Sequence, residues 1–163
     1  MLAFPMDLSG KTILVTGASG ALGSELTNVL SSKGAKVLGT ATNNESAGAI
    51  PAKAEVRLLL DYQEPDSIQT LTDYLVAASQ VDGIINASGV VAFGPVSELT
   101  VETSKRLTAV NSQGPIQLIS QLFGKLKESS EAGNEPFVLN ITGVVAETPM
   151  MGMAAYCGSK TAV

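Results

Sequence analysis

Short apolar runs alternate along the chain with longer segments in which apolar positions recur every three or four residues. The runs have strand length and cover 12–15, 36–39, 56–60, 81–85 and 137–141. The periodic segments predict helices over 21–33, 65–79 and 100–127. The stretch 41–54 is rich in Asn, Ala and Gly, so the helix expected there is short or absent.

This alternation predicts an α/β fold. Strands made of Val, Ile and Leu without polar alternation are typical of parallel strands covered on both faces by helices. Right-handed crossovers then favour a Rossmann-type doubly wound parallel sheet, with five strands in the order 3-2-1-4-5 and helices on both faces. At 163 residues and 45% hydrophobic content, we expect a single domain over 1–163.

Charge and composition narrow the expected partners. The net charge of −5 argues against nucleic acid and anionic membrane, because both attract a basic surface. The N-terminal residues resemble no targeting signal, so we expect a cytoplasmic protein that binds a small molecule. One cysteine, Cys157, and no His leave no basis for an internal disulfide or a cysteine-based metal site. Acid–base chemistry near neutral pH must then use Tyr, Lys or carboxylates.

A glycine-rich turn follows the first strand and leads into the first helix. It reads Thr-Gly-Ala-Ser-Gly-Ala-Leu-Gly over 16–23. Glycines three apart leave backbone N–H groups and a helix N-terminus open to an anionic pyrophosphate. The alternative is an ordinary tight turn, but its place in the first strand–helix unit favours a dinucleotide site. The predicted cofactor contacts are Gly17, Ser19, Gly20, Leu22 and Gly23.

The run Leu-Ser-Gly-Lys-Thr-Ile-Leu-Val-Thr-Gly-Ala-Ser over 8–19 resembles the opening of a short-chain dehydrogenase/reductase. The resemblance covers the whole chain and is closest to 3-oxoacyl-acyl-carrier-protein reductases. It implies an NAD(P)-binding Rossmann domain. The glycines depart from the family's usual T-G-x-x-x-G-x-G arrangement and resemble the extended branch of the superfamily. An extended-type epimerase or dehydratase is therefore one alternative.

The end of the second strand bears on the choice of cofactor. NAD-preferring proteins usually place a carboxylate there to hold the ribose hydroxyls, whereas this chain has Thr40. A carboxylate would repel a 2′-phosphate, so its absence favours NADP(H) over NAD(H). Thr40, Thr42 and Asn43 are candidate hydrogen-bond donors. No Arg or Lys stands in the glycine turn or just after the strand to pair with a phosphate.

The third and fourth strands end in further residues to which the resemblance assigns cofactor contacts. Asp61 matches the family's adenine-binding Asp, with Tyr62 beside it, although a turn or helix-capping carboxylate is an equal reading of the residues alone. The segment Asn86-Ala-Ser-Gly89 stands where the family has N-N-A-G. Asn86, Ala87 and Gly89 are therefore expected to steady the sheet and line the adenosine ribose.

Tyr156 and Lys160 match the family's Y-x-x-x-K motif, and a spacing of four places both on one helix face. The resemblance makes Tyr156 the acid/base and Lys160 the residue that stabilises its phenolate, and both are expected to contact the cofactor. Asn111 matches the family's helical Asn, whose backbone carbonyl holds a relay water. Pro115 lacks an N–H, which leaves the Asn111 carbonyl free.

Two departures affect catalysis. Gly143 replaces the Ser that the family places thirteen residues before the Tyr, and losing one such donor costs on the order of 10²–10³ in rate. Thr142 can substitute only if the strand has already ended. The chain also stops seven residues after Tyr156, where the family continues, so we expect a fragment or a short form with impaired catalysis.

The leading hypothesis is an NAD(P)-dependent oxidoreductase that moves hydride between a nicotinamide and a carbonyl or secondary alcohol. A catalytically impaired nucleotide-binding pseudoenzyme or sensor is the second hypothesis, suggested by Gly143. Because the helix over 100–127 contributes to dimers in the family, a homo-oligomer is also expected.

Overall fold

A computed structural model describes residues 6–64, 66–78 and 80–163. Within them, one sheet contains five parallel strands in the order β3-β2-β1-β4-β5, which confirms the predicted topology. The strands are β1 (Thr12–Thr16), β2 (Lys36–Ala41), β3 (Val56–Leu59), β4 (Gly83–Asn86) and β5 (Phe137–Asn140). The α-helices are α1 (Ala21–Ser32), α2 (Asn44–Ala47), α3 (Ser67–Ala78), α4 (Val101–Thr108), α5 (Gly114–Glu131) and α6 (Ala154–Thr161).

Helices cover both faces of the sheet, as predicted. On one face Leu14 is level with Leu38 and Ile84, and these pack against α3 and α5 through Leu71 and Leu118. On the other face the core contains Ile13, Val15, Val37, Ile85 and Leu30 of α1. Side chains of successive strand residues point to opposite faces, so the central strands β1, β2 and β4 contribute to both cores.

The predicted helix over 100–127 is helical but is not one regular helix. A single π-helical turn, Ala109–Gln113, separates α4 from α5, and α5 continues to Glu131. Pro115 follows this turn and cannot donate a backbone hydrogen bond, which favours a break in the regular pattern here. The helix predicted over 65–79 is observed as Ser67–Ala78. Its predicted end residues Pro65 and Ser79 lie outside the described residues, as does segment 1–5.

The 41–54 stretch contains only the four-residue helix α2, as its composition predicts. Asn43 caps this helix by accepting a hydrogen bond from the Ser46 N–H at 2.9 Å. No helix among the described residues is long and apolar enough to cross a membrane.

Asp82 joins three elements at the N-terminal edge of the sheet. Its carboxylate accepts hydrogen bonds from the Thr12 N–H at 2.8 Å, from Gln80 at 2.7 Å and from the Ser129 hydroxyl on α5. Burial acts to raise the pKa of Asp82, but these hydrogen bonds and the Lys11 charge together hold it below its usual value. Asp82 therefore stabilises the folded chain in its ionised form.

Parallel strands bring their carboxyl ends to one edge of the sheet, where ligands bind in such folds. The segments that leave β1, β3 and β4 meet there, and the segment that follows β5 leads to α6.

Candidate functional site

Neighbouring backbone atoms approach Gly17 and Gly23 of the glycine turn so closely that neither position has room for a Cβ. Gly17 has a φ of +67°, and a Cβ on Gly23 would lie 2.1 Å from the Gly17 carbonyl oxygen. A Cβ on Gly20, in contrast, would meet only that same oxygen at 3.4 Å. Gly17 and Gly23 are therefore required by packing, whereas Gly20 leaves free space in front of the turn.

The N-terminus of α1 fits an anionic group. Gly20 is the N-cap, no side chain caps the helix, and its first turn has no acidic residue. The first N–H groups of a helix have no partner within it. With the helix dipole, they form a site for a phosphate or pyrophosphate, so the turn fits the anionic part of a dinucleotide.

This turn borders an open cleft of about 280 Å³, which we call the glycine cleft. Seven of the predicted cofactor-binding residues line it: Gly17, Ser19, Gly20, Asp61, Tyr62, Ala87 and Gly89. It is also lined by Thr42, Leu60, Gln63, Ser88, Val90, Arg106 and Val110. The structure thus brings together segments that leave β1, β2, β3 and β4 with one face of α4 and the π-helical turn.

Six predicted cofactor contacts lie outside this lining: Leu22, Gly23, Thr40, Asn86, Tyr156 and Lys160. Thr40 is 1% exposed, and its hydroxyl and carbonyl accept hydrogen bonds from the N–H groups of Gly17 and Ala18. Asn86 is buried and donates to the Asn140 side chain at 2.8 Å, which links β4 to β5. Leu22 and Gly23 lie in the first turn of α1. Any contact of these residues with a cofactor stays a prediction.

Asp61 and Tyr62 enter the cleft in different ways. The Asp61 carboxylate accepts a hydrogen bond from the Gln63 N–H at 2.9 Å, so one of its oxygens closes a local turn. The Tyr62 ring packs into the space left by Gly114, where a Cβ would lie 2.3 Å from the ring. Burial raises the pKa of the Tyr62 phenol well above its usual value, so this phenol stays protonated near neutral pH.

Lys160 reaches one end of the glycine cleft. It is 6% exposed, and its Nζ donates to the Ile141 carbonyl at 2.9 Å. A Cβ on Gly89 would lie 3.2 Å from this Nζ. Burial lowers the pKa of Lys160. Lys160 therefore adjoins the segment that follows β4, and Tyr156, one turn earlier on α6, is partly buried.

A buried hydrogen-bond network fixes this end of the cleft. The Asn111 side chain donates to the Val90 carbonyl at 2.8 Å and accepts from the Val90 N–H at 2.9 Å. It also donates to the Ser159 hydroxyl at 2.9 Å, which in turn donates to the Tyr156 carbonyl at 2.8 Å. Asn111 thus joins the segment after β4 to the helix that carries Tyr156. Ser159 was not predicted as a site residue, although it lies inside the Y-x-x-x-K motif.

The segment after β5 contains Thr142 and Gly143, the two positions at which a hydroxyl donor was considered. The strand ends at Asn140, so strand alternation does not dictate where Thr142 points. Gly143 has a φ of 90° and a ψ of 163°, a backbone region that is essentially open only to glycine. The absence of the family's Ser at this position is therefore matched by a local backbone that disfavours Ser.

Arg106 is a cation in the cleft that sequence spacing did not reveal. It lies on α4 one turn before Val110, and both residues line the glycine cleft with Asp61. Residues four apart share a helix face, but nothing local in the sequence shows that this face meets the end of β3.

Comparison with known proteins agrees with this geometry. The family model for short chain dehydrogenases matches residues 11–163. The chain belongs to the short chain dehydrogenase family. It is 30% identical over 167 residues to D-threitol dehydrogenase from Mycolicibacterium smegmatis, an alignment that covers 98% of this chain and 63% of that protein. This membership confirms the resemblance found in the sequence.

Two solved structures share the fold. The blue fluorescent protein from a metagenomic library in complex with NADPH has a TM-score of 0.84 and 23% identity, covering 96% of this chain and 66% of that one. The 3-ketoacyl-(acyl-carrier-protein) reductase from Brucella melitensis, complexed with NADH, has a TM-score of 0.84 and 24% identity, covering 94% and 66%. The chain spans about three-fifths of the length of the curated relatives it matches.

Proposed function

We propose that this chain is the cofactor-binding and catalytic part of an NAD(P)-dependent oxidoreductase acting on a small-molecule carbonyl or secondary alcohol. The observation that carries the proposal is the position of Lys160, whose Nζ lies beside Gly89 at the end of the glycine cleft. Family membership and relatives named as dehydrogenases and reductases support hydride transfer over the epimerase or dehydratase alternative.

The residues that would hold the cofactor follow the cleft. The Gly17–Gly20 turn and the N-terminus of α1 would bind the pyrophosphate, and Asp61 would accept a hydrogen bond from the adenine amino group. Lys160 would bind the nicotinamide ribose near Gly89. A bound nicotinamide supplies or accepts the hydride.

Tyr156 would donate a proton to the substrate oxygen during reduction and remove it during oxidation. A phenol in water ionises near pH ~10, so this role needs a nearby cation, and the Lys160 ammonium supplies one. The network through Asn111 and Ser159 holds α6 against the segment after β4, which fixes the position of Tyr156. Fixed orientation of the proton donor is a large part of such catalysis.

We infer a preference for NADP(H) over NAD(H). Thr42 lines the cleft just beyond β2, and Arg106 adds a positive charge to the same cleft. Thr42→Asp should weaken NADPH binding at least tenfold because it places a carboxylate beside the 2′-phosphate. NADH, which lacks that phosphate, is the internal control. Calorimetry that finds NADH bound as tightly as NADPH by the unchanged chain would contradict the preference.

Tyr156→Phe tests the catalytic role. It should lower carbonyl-dependent NADPH oxidation by about 10²-fold or more, the usual contribution of a general acid, while leaving the NADPH dissociation constant within about threefold. Tyr74→Phe, on α3 and outside the cleft, is the matched control. Equal rates for both variants would refute the role of Tyr156.

A nucleotide-binding pseudoenzyme is the second candidate, and Gly143 favours it. The backbone there is unsuited to the family's Ser, so Thr142 would have to supply the second hydrogen bond to the substrate oxygen. Thr142→Val should then cost on the order of 10²–10³ in turnover. Tight NADPH binding with no turnover of any carbonyl compound would favour the pseudoenzyme.

We also infer that α4 and α5 mediate self-association. Val101, Ile116 and Phe123 on these helices are 72%, 50% and 64% exposed, and exposed apolar side chains on adjoining helices are typical of interfaces. Sedimentation should detect an oligomer that Phe123→Glu dissociates, whereas a monomer at all concentrations would contradict this.

A further inference from the structure

A second cleft, of about 250 Å³, lies beside α6 and is lined by two loops and the first residues of that helix. We call it the loop cleft. One loop contributes Phe93 and Val96, and the other contributes Gly152 and Met153. The Gly94 N–H donates to the Gly152 carbonyl at 2.8 Å and joins the two loops. The cleft is thus a defined hollow and not a gap between unconnected segments.

Both loops expose large apolar side chains. Phe93 is 79% exposed although its ring touches Gly152, where a Cβ would lie 3.0 Å from Cε2. Val96, Val144 and Met151 are 69%, 71% and 96% exposed. Exposure of such side chains to water is unfavourable, and a bound partner that covers them lowers the free energy. The contact with Gly152 holds the Phe93 ring in place with most of its surface left for a ligand.

The charges around the loop cleft disfavour anionic ligands. Glu98 is the one charged side chain among the described residues that line it, and no lining residue is a cation. A keto acid, a phosphate ester or another anion would meet a carboxylate with no compensating charge. Backbone groups of the loops and the Thr103 hydroxyl supply uncharged polar atoms.

The loop cleft lies at the N-terminus of α6, the helix that carries the proposed catalytic tyrosine. Met153, Ala154 and Ala155 line it and lead directly to Tyr156 in α6. The cleft thus begins one residue along the chain from Tyr156, within the length of a small substrate. The volume suits a small molecule and is too small for a packed helix or strand from a protein partner.

We propose that the loop cleft binds the carbon skeleton of an uncharged, predominantly apolar ketone or secondary alcohol, with Phe93 and Val96 as specificity-determining residues. This inference rests on the proposed function, because it takes Tyr156 as the residue that contacts the reacting oxygen.

The test uses the chain saturated with NADP⁺ and labelled with ¹³C at its methionine methyl groups, of which Met153 lies in the cleft. Three ketones are titrated: 2-tetralone, which is apolar; erythrulose, which is polyhydroxylated; and 2-oxobutyrate, which is anionic. We expect 2-tetralone to shift the Met153 signal with a dissociation constant at least tenfold below those of the other two. A Met153→Leu variant assigns the signal.

Two variants separate the cleft from general effects on the fold. Phe93→Ala should weaken 2-tetralone binding at least fivefold, whereas Tyr74→Ala, which removes an exposed ring on α3, should not. Val96→Asp adds a second carboxylate without altering the contact between Phe93 and Gly152, and should weaken binding at least tenfold. Erythrulose or 2-oxobutyrate binding as tightly, no ketone shifting Met153, or unchanged affinity in both cleft variants would each overturn the inference.

The two proposals fail in different ways. If neither NADP⁺ nor NAD⁺ binds, the proposed function fails, and the ketone titration still tests the cleft on the cofactor-free chain. If 2-tetralone binds at Met153 but no ketone is reduced, the preference of the cleft stands and the catalytic proposal fails.

Discussion

Gly143→Ser restores the hydroxyl that the family places before its tyrosine, and the structure predicts that it destabilises the chain. Gly143 has a φ of 90° and a ψ of 163°. A Cβ at this position has ample space, with its nearest neighbour on Val145 at 4.0 Å, so the penalty comes from the backbone alone. Holding a non-glycine residue in this region costs about 2 kcal/mol, which corresponds to a fall in Tm of roughly 4–8 °C for a domain of this size.

Thermal unfolding followed by circular dichroism measures this loss. Gly124→Ser is the matched control, because Gly124 lies in the middle of α5 with nothing within 4 Å of its Cβ position. Serine is the better helix former, so the control should raise the free energy of unfolding by a few tenths of a kcal/mol. If Gly143→Ser is as stable as the unchanged chain and raises turnover, our account of this segment is wrong.

Three further predictions follow from buried charges and from the cleft. Burial lowers the pKa of Lys160, so the free energy of unfolding of the unchanged chain should increase as the pH rises from the folded pKa towards the ordinary lysine value. Lys160→Met should lack this increase in pH-dependent unfolding, and it should bind NADPH more weakly. The pKa of Asp82 is lowered in the folded chain, so its ionised carboxylate stabilises the fold above about pH 4, and this stabilisation is lost as the pH falls through the folded pKa. Asp82→Asn should therefore flatten the acid limb of the unfolding profile. Arg106→Ala should weaken NADPH binding at least threefold in calorimetry, whereas Lys105→Ala, a neighbouring exposed cation outside the glycine cleft, should not; equal effects would count against Arg106.

Local pattern was enough to predict the sheet. The strands β1 to β5 lie in short, mainly apolar runs, and the glycine turn after β1 shows where the first crossover begins. The order of strands follows from these units because parallel strands need crossovers of one hand. Element ends differ by at most two residues for the strands, since hydrogen bonding and not side-chain pattern decides where pairing stops.

Long-range contacts could not be predicted in the same way. Apolar periodicity continues through 100–127, but Asn111 bonds to Val90 and Ser159, and these contacts coincide with the π-helical turn. Thr40 is predicted to contact the cofactor, and the sequence pattern gave no sign that its hydroxyl also accepts a hydrogen bond from the Gly17 N–H. Such pairings join residues distant along the chain, and no spacing rule reports them.

The central claim is that the turn over 16–23 binds the pyrophosphate of a nicotinamide dinucleotide, and calorimetric titration with NADPH tests it most directly. The comparison is between Gly20→Asp, which the fold tolerates because a Cβ there meets only one atom at 3.4 Å, and Gly124→Asp, which adds the same charge on α5. We predict that the unchanged chain and Gly124→Asp bind NADPH with similar affinity, and that Gly20→Asp binds it at least a hundredfold more weakly. Equal affinity for all three, or no binding by the unchanged chain, would contradict the account.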